Sequence, residues 1–344
     1  MNSTKVETVV QRVVAAIYKQ HPIIKNIISD LLTIAPDGKA LVVGGTVRDA
    51  LLETPIVSSD IDIEVYGIEL DQLEKILIRY GVVRSVGKSF GVLRMDGINI
   101  DWSIPRTDGP GRKPNVTYNP HATYHEAFAR RDLTINAMGI LLPANQDHKS
   151  LLIDPYNGLQ DIISKTRRSP NSKLFAQDPL RYFRVMQFTG IFQFTPDKEL
   201  YEIGSTIDLT GISLDRIDGE FYKLCTLAPK PSLGIDWIHK TGRLKELMPE
   251  LYALIGVEQN PEWHPEGDVF EHSKQAMDAA ALQSYNSLEE RYIMTITALC
   301  HDLGKAESSR VIDGKIRAWG HEITGVPLAQ ALLKRVSTRI NLFK

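Results

Sequence analysis

Lys39-Ala-Leu-Val-Val-Gly-Gly-Thr-Val-Arg-Asp-Ala-Leu-Leu52, followed by Ser59-Asp-Ile-Asp-Ile-Glu-Val-Tyr66, is the stretch that decides the fold. The first part reads as a buried strand, a glycine turn and a helix, the second as a strand with strict alternation. Alternate side chains of a strand share a face, so Asp60, Asp62 and Glu64 project to one side and Ile61, Ile63 and Val65 to the core. Carboxylates about 6.5–7 Å apart along that face suit a pair of divalent ions about 3.5–4 Å apart. Taken alone, D-x-D-x-E also describes the solvated face of an ordinary strand. The glycine turn favours chemistry. Gly44 and Gly45 let backbone N–H groups approach a phosphate, the helix start adds favourable partial charge, and Arg48 and Asp49 fall in its first turn. A phosphate cradle beside a metal-binding strand is an arrangement for nucleotidyl transfer. Asp101, on a later strand, is a candidate third acid.

Outward from this stretch, 344 residues allow two or three domains. A net charge of −2 excludes a polycationic nucleic-acid coat and an acidic tail, but leaves room for local basic patches. Two distant cysteines, Cys225 and Cys300, exclude a disulfide scaffold and a zinc ribbon and point to a reducing cytoplasm. Met1–Gln20 has no export-type apolar run and no membrane span is expected. It reads as an amphipathic helix, with a Thr4–Glu7 capping box and Val9, Val10, Val13, Val14 and Ile17 on one face. Asp71–Tyr80 reads as a helix, and Gly91–Met95 with Ile98–Trp102 as a hairpin across Asp96-Gly97. Arg106–Pro120, with Gly109, Pro110, Gly111 and Pro114 among basic residues, reads as an exposed, mobile loop. From Tyr124 the pattern is mostly helical. The expected fold class is α+β, a head followed by an all-helical remainder.

Further motifs follow. Arg130-Arg131-Asp132 reads as opening a helix, on which Asp132 and Asn136 share a face and can address a ribose. Gln177-Asp178-Pro179-Leu180-Arg181 reads the same way, with Asp178 and Arg181 on one helical face. The resemblance described next implies that this pair reads a base: a carboxylate accepts from the exocyclic amine of cytosine or adenine, and a guanidinium donates to the ring nitrogen. Guanine and uracil would fail both contacts, at about 1–3 kcal/mol for each unpaired group.

Together, G-G-T-V-R-D at Gly44–Asp49, D-I-D at Asp60–Asp62 and R-R-D-L-T-I-N-A-M at Arg130–Met138 resemble the bacterial class II tRNA nucleotidyltransferases (CCA-adding enzymes) and poly(A) polymerases. The resemblance implies a polymerase-β-like head, a small mixed sheet with helices, then an all-helical neck, body and HD-type domain. The implied boundaries are an N-terminal helical extension over 1–35, head 36–145, nucleotide-selecting neck 146–225, body 226–262, and an incomplete HD-type metal phosphohydrolase domain over 263–344. It implies addition of CCA to the tRNA 3′ end from CTP and ATP, without a template, in the cytoplasm. Asp60 and Asp62 would hold Mg²⁺; Gly44, Gly45, Arg48, Arg131, Asp132, Asn136, Asp178, Arg181 and Arg184 would bind nucleotide. Gln177 stands where the family has glutamate. The loop bearing Arg106, Arg112 and Lys113 favours full CCA addition by its length, and Asp154–Asp161 corresponds to a hinge. The basic clusters Lys165–Arg168 and Lys334–Arg339 suit either the tRNA backbone or a solvated helix face.

Trp263–His272 and Leu299–Lys305 resemble the HD-type domain, which implies His272, His301 and Asp302 as ligands of a second, transition metal. His264 and His321 are nearby candidates for supporting roles. The family's final aspartate has no counterpart between Asp313 and Lys344, so the sequence is expected to be a fragment or its second site degenerate. The alternatives are a poly(A) polymerase, or a metal phosphohydrolase with an RNA-binding head.

Overall fold

The computed structural model describes residues 2–53, 61–86, 91–108, 116–144 and 150–343. Asp60, Arg112 and Lys113, named above, lie outside the described residues. The chain divides into two compact units, Met1–Asp178 and Pro179–Lys344.

The first unit opens with α1 (Ser3–Gln20) and α2 (Ile23–Ile34). Val9, Val10, Val13, Val14 and Ile17 are the buried residues of α1, as the periodicity requires. Its cap is Asn2, whose side chain accepts from Lys5 N, and not the expected Thr4–Glu7 box. Asn2 takes the role because the helix already begins at Ser3, which puts Thr4 inside it.

Next come β1 (Lys39–Val43), α3 (Gly45–Leu51), β2 (Ile61–Tyr66) and α4 (Leu70–Ile78). Then follow β3 (Val83–Val86), β4 (Val92–Met95), β5 (Ile100–Ser103), β6 (Arg106–Asp108) and β7 (Val116–Tyr118). The unit continues with α5 (Tyr124–Ala129), β8 (Gly139–Leu141) and β9 (Leu152–Ile153). Among the described residues, seven strands form one sheet in the order β3-β4-β5-β2-β1-β8-β9. Among the described pairings of this sheet only β2 and β5 run in parallel; the other neighbours are antiparallel. Both faces of β1 are buried, with Leu41 and Val43 packed into a cluster with Tyr66, Ala127, Phe128 and Ala137. The sheet is thus covered on both sides where β1 and β2 meet, and among the described residues of β2 only Asp62 is open.

One expectation holds here and one changes. β4 and β5 do form the hairpin across Asp96-Gly97, but Arg106–Pro120 is not loop throughout. Its ends pair as an antiparallel ribbon, β6 with β7, because Thr107, Val116 and Thr117 carry strand propensity outside the glycine–proline core.

The second unit is built mainly of helices. Tyr182 on Leu180–Phe192 and Trp237 on Ser232–Lys240 are fully buried. Tyr182 OH lies 2.7 Å from Thr241 Oγ1, and Trp237 Nε1 donates to Tyr182 O at 3.2 Å. Helix Val269–Ala281 packs against Leu288–Cys300. The unit is not all-helical: Arg310–Ile312 and Lys315–Arg317 form a hairpin whose turn residues, Asp313 and Gly314, both have positive φ. No helix among the described residues is long and apolar enough to cross a membrane.

Candidate active site

The register of β2 on β1 sets Asp62 opposite Val43, the residue before the glycine turn. Parallel pairing with β5 sets it beside Asp101. Asp62 is exposed while Ile61, Ile63 and Val65 are buried. Asp101 is held bidentately by Arg94, at 2.5 and 2.8 Å. Its carboxylate therefore sits next to Asp62 in the sheet, already committed to a guanidinium.

Gly44 has φ 75° and ψ −132°, a conformation that a side chain strains. Its N–H donates to Met138 O at 3.2 Å, so its contribution to a cradle is room and not a hydrogen bond. A Cβ there would stand 3.1 Å from Arg131 Nη1 and 3.8 Å from Asp62 Oδ2. The glycine turn, the acid and the arginine thus share one small space.

Glu64 departs from the sequence expectation. It is fully buried, accepts from Tyr66 OH at 2.6 Å, and faces Arg130 Nη2 at 3.3 Å and Arg131 Nη2 at 3.6 Å. Alternation correctly assigned its face; it gave no sign of the arginines beyond α5 that cover it. Burial, and then the charge of Glu64, push the Tyr66 phenol far above its usual range, so Tyr66 stays a donor.

Arg130-Arg131-Asp132 does not open a helix. Arg130 caps the end of α5, and after extended Leu133 the chain makes a single 3₁₀ turn, Thr134–Asn136. Thr123 and Glu126 cap the start of α5 reciprocally. Asp132 and Asn136 still meet, Asn136 Nδ2 donating to Asp132 Oδ1 at 2.9 Å. Arg48 Nη1 donates to Asn136 Oδ1 at 2.6 Å, and its Nε to Asp49 Oδ1 at 2.8 Å. Arg48 of the glycine-turn motif and Asp132 and Asn136 of the later one are therefore one hydrogen-bonded chain.

Asp178 precedes the helix Leu180–Phe192, so it does not share a helical face with Arg181, which lies in the first turn. Arg184, one turn on, stacks over Phe188. The basic cluster Lys165–Arg168 is not a solvated face: Arg167 is fully buried and Arg168 is ion-paired with buried Asp161. In Lys334–Arg339, Arg335 pairs with Glu250, and Arg339 pairs with buried Asp218 and lies over Tyr222. Asp154 accepts from Gly158 N and Leu159 N at 2.7 and 2.9 Å, which ties down the segment expected to act as a hinge.

In the second unit, His272, His301 and Asp302 present donor atoms within 4.8 Å of one another. His301 Nε2 and His272 Nε2 lie 3.2 and 3.6 Å from Asp302 Oδ2, and His321 Nε2 lies 3.4 Å from Oδ1. Lys305 Nζ sits 2.7 Å from Oδ2. Burial works against the Asp302 charge, yet His301 and Lys305 more than offset it and hold the carboxyl well below the usual range. His301 is pushed up, chiefly by Asp302. Glu266, 2.6 Å from His272 Nδ1, is brought down to about 2 by its own backbone N–H, then by His264 and His272. Beside this cluster a cleft of about 620 Å³ is lined by Trp263, His264, Lys305, Arg317, Trp319 and His321.

A mixed sheet carrying an exposed aspartate beside a glycine turn and an arginine defines the first unit as a nucleotidyltransferase head. The Poly A polymerase head domain family matches residues 40–168. The chain is 32% identical over 308 residues to the multifunctional CCA protein of Mannheimia succiniciproducens, covering 86% of this chain and 69% of the relative. It is 34% identical over 312 residues to that of Shewanella denitrificans, covering 87% and 70%. In fold it resembles the solved complex of a CCA-adding enzyme with ATP, at a TM-score of 0.61 and 20% identity, over 95% of this chain and 67% of that one. A tRNA-processing enzyme in an apo form gives a TM-score of 0.53 at 21% identity, over 95% and 87%. The chain belongs to the family of class II CCA-adding enzymes and bacterial poly(A) polymerases. Membership implies a divalent metal ion, and the residues fit one: Asp62 is an exposed oxygen donor on a strand, beside a turn with room that a Cβ would fill.

Proposed function

We propose that this chain adds C, C and A to the 3′ end of tRNA, taking CTP and ATP in turn without a template. The observation that carries the proposal is Asp62 standing exposed within one small space with the Gly44 turn and Arg131. Asp62, with Asp60, would hold Mg²⁺, which when bound lowers the pKa of the attacking hydroxyl and neutralises triphosphate charge. Gly44 and Gly45 leave room for the triphosphate and Arg131 supplies a guanidinium to it. Arg48, Asn136 and Asp132 act as a unit, offering donors and an acceptor to the ribose. Asp178 and Arg181 select cytosine or adenine by the pattern of their pairing edges, with Arg184 alongside. In this account residues 36–145 are the head, 146–225 the neck and 226–262 the body, and the enzyme works in the cytoplasm, where two buried free thiols are stable.

A second activity is favoured by one observation, the convergence of His272 and His301 on Asp302 beside an open cleft. Residues 263–344 would then form an HD-type phosphohydrolase domain with a transition metal on those three side chains. The primary proposal is tested by offering each labelled nucleoside triphosphate to tRNAs ending at the discriminator base, at C and at CC, and sequencing the products. C addition to the first two and a single A to the third is expected. A long tract of A would instead identify a poly(A) polymerase, and no addition would refute nucleotidyl transfer.

A further inference from the structure

Glu64 lies two residues along the strand from Asp62, on the same face, yet its environment is of a different kind. Asp62 is exposed; Glu64 is sealed, with the Tyr66 hydroxyl on Oε1 and two guanidinium groups on Oε2. A buried carboxylate needs compensating charge and hydrogen bonds, and both arrive from residues that the sequence places far away. One of them, Arg131, reaches from Glu64 through its Nη2 to the Gly44 turn through its Nη1, and packs on the Phe128 ring 5.1 Å from its guanidinium carbon. Its guanidinium is therefore steered from both sides: an aromatic ring on one, and a buried anion on the other.

We infer that Glu64 and Tyr66 are positioning residues for the triphosphate: Tyr66 steadies the Glu64 carboxylate, and Glu64 holds Arg131 over the glycine turn. The strand Ile61–Tyr66 then carries acids of two functions, Asp62 facing the reacting groups and Glu64 organising the arginine behind them. This rests on the proposed nucleotidyl transfer and adds to it a residue pair that never touches the substrate. Because the arginine would meet the triphosphate and not the base, its loss of orientation must affect CTP and ATP alike.

The test uses the full chain carrying Glu64→Gln or Tyr66→Phe. Steady-state kinetics with CTP and with ATP are measured together with inhibition by inorganic tripolyphosphate and a magnesium titration. Losing one charge-assisted contact predicts a KM about tenfold higher for both nucleotides in Glu64→Gln, and a smaller rise in Tyr66→Phe. The tripolyphosphate inhibition constant should rise in step, with kcat and the magnesium requirement nearly unchanged. Unchanged KM and inhibition constants in folded variants would overturn the inference and leave Glu64 a purely structural group. A shifted magnesium requirement without a change in tripolyphosphate inhibition would also overturn it, by making Glu64 a metal ligand. If Glu64→Gln does not fold, Tyr66→Phe, which keeps its ring in the core, decides the question. Absence of nucleotide addition by the unmodified protein would count against nucleotidyl transfer itself; calorimetric binding of tripolyphosphate to the same variants then still tests Glu64.

Discussion

Replacing Gly44 by alanine, with Gly45→Ala as its neighbour and control, separates two adjacent glycines that sequence alone treats alike. At Gly44 the backbone is at φ 75°, and the new Cβ would stand 3.1 Å from Arg131 Nη1. Backbone strain of this kind costs about 1–3 kcal/mol. For a unit of about 150–250 residues, a central cost of about 2 kcal/mol lowers Tm by about 4–8 °C. At Gly45 the first helical residue has ordinary φ, and a Cβ would meet only the Arg48 guanidinium, at an ordinary contact distance of 3.4 Å. Reduced freedom of the unfolded chain should there stabilise by about 0.4–1 kcal/mol. The two substitutions should therefore move Tm in opposite directions. Displacement of Arg131 by a few tenths of an ångström should also weaken a charged contact with the triphosphate. A loss of about 1.5–3 kcal/mol corresponds to a fall of roughly ten- to a hundredfold in kcat/KM. That fall should be equal for CTP and ATP. Thermal unfolding and primer-extension kinetics measure both quantities. A Gly44→Ala protein with unchanged Tm and unchanged kinetics would refute the account of the turn.

Two further outcomes follow from the buried groups. Burial pushes Cys300 up to about 12 from an ordinary value near 9, and raises Cys225, Tyr18, Tyr182 and Tyr292 as well. These acids release protons from the unfolded chain first, so stability should fall as pH rises above about 9; a urea midpoint constant from about pH 8 to pH 11 would contradict this. Asp161 is buried, accepting from Thr134 Oγ1 at 2.5 Å and pairing with Arg168. Asp161→Ala strands both partners and should cost about 2–4 kcal/mol, read as a Tm lower by roughly 5–15 °C. A shift of a degree or less would show that the network does not hold the 3₁₀ turn to the helix Gly158–Ser164.

Much of this architecture is legible residue by residue, for physical reasons. Ala40–Val43 is apolar throughout because that part of β1 is covered on both faces, and the alternation of Ile61–Tyr66 follows from the pleat. Local patterns also reveal α1's buried face and the β4–β5 hairpin. What they do not contain is register between distant strands, so the pairing of Asp62 with Asp101 had no local signature. Nor does alternation say what covers a face, so it places Glu64 on the side of Asp62 without showing that it is buried. The basic clusters failed for the same reason: Arg335 and Arg339 find Glu250 and Asp218 far off in sequence. Other elements do carry local signals. Thr123 and Glu126 spell the capping box that Thr4 and Glu7 only imitate, and Asp313-Gly314 between short β-prone runs marks the hairpin in the second unit. Among the expected ligands of the second site, His272, His301 and Asp302 meet because Val269–Ala281 packs against Leu288–Cys300. The approach of His321 to the far oxygen of Asp302 depends on how the helix His321–Val336 packs.

The central claim is that the exposed carboxylate of Asp62 is where nucleotidyl transfer is carried out. Asp62→Asn keeps the shape of an exposed side chain, so folding should be nearly unaffected and the unfolding free energy should stay within about 0.5 kcal/mol of the parent. Single-turnover addition of C to tRNA ending at the discriminator base, and of A to tRNA ending in CC, should both be lost in this variant, with tRNA binding retained. Parental rates for either addition, at any magnesium concentration, would contradict the account.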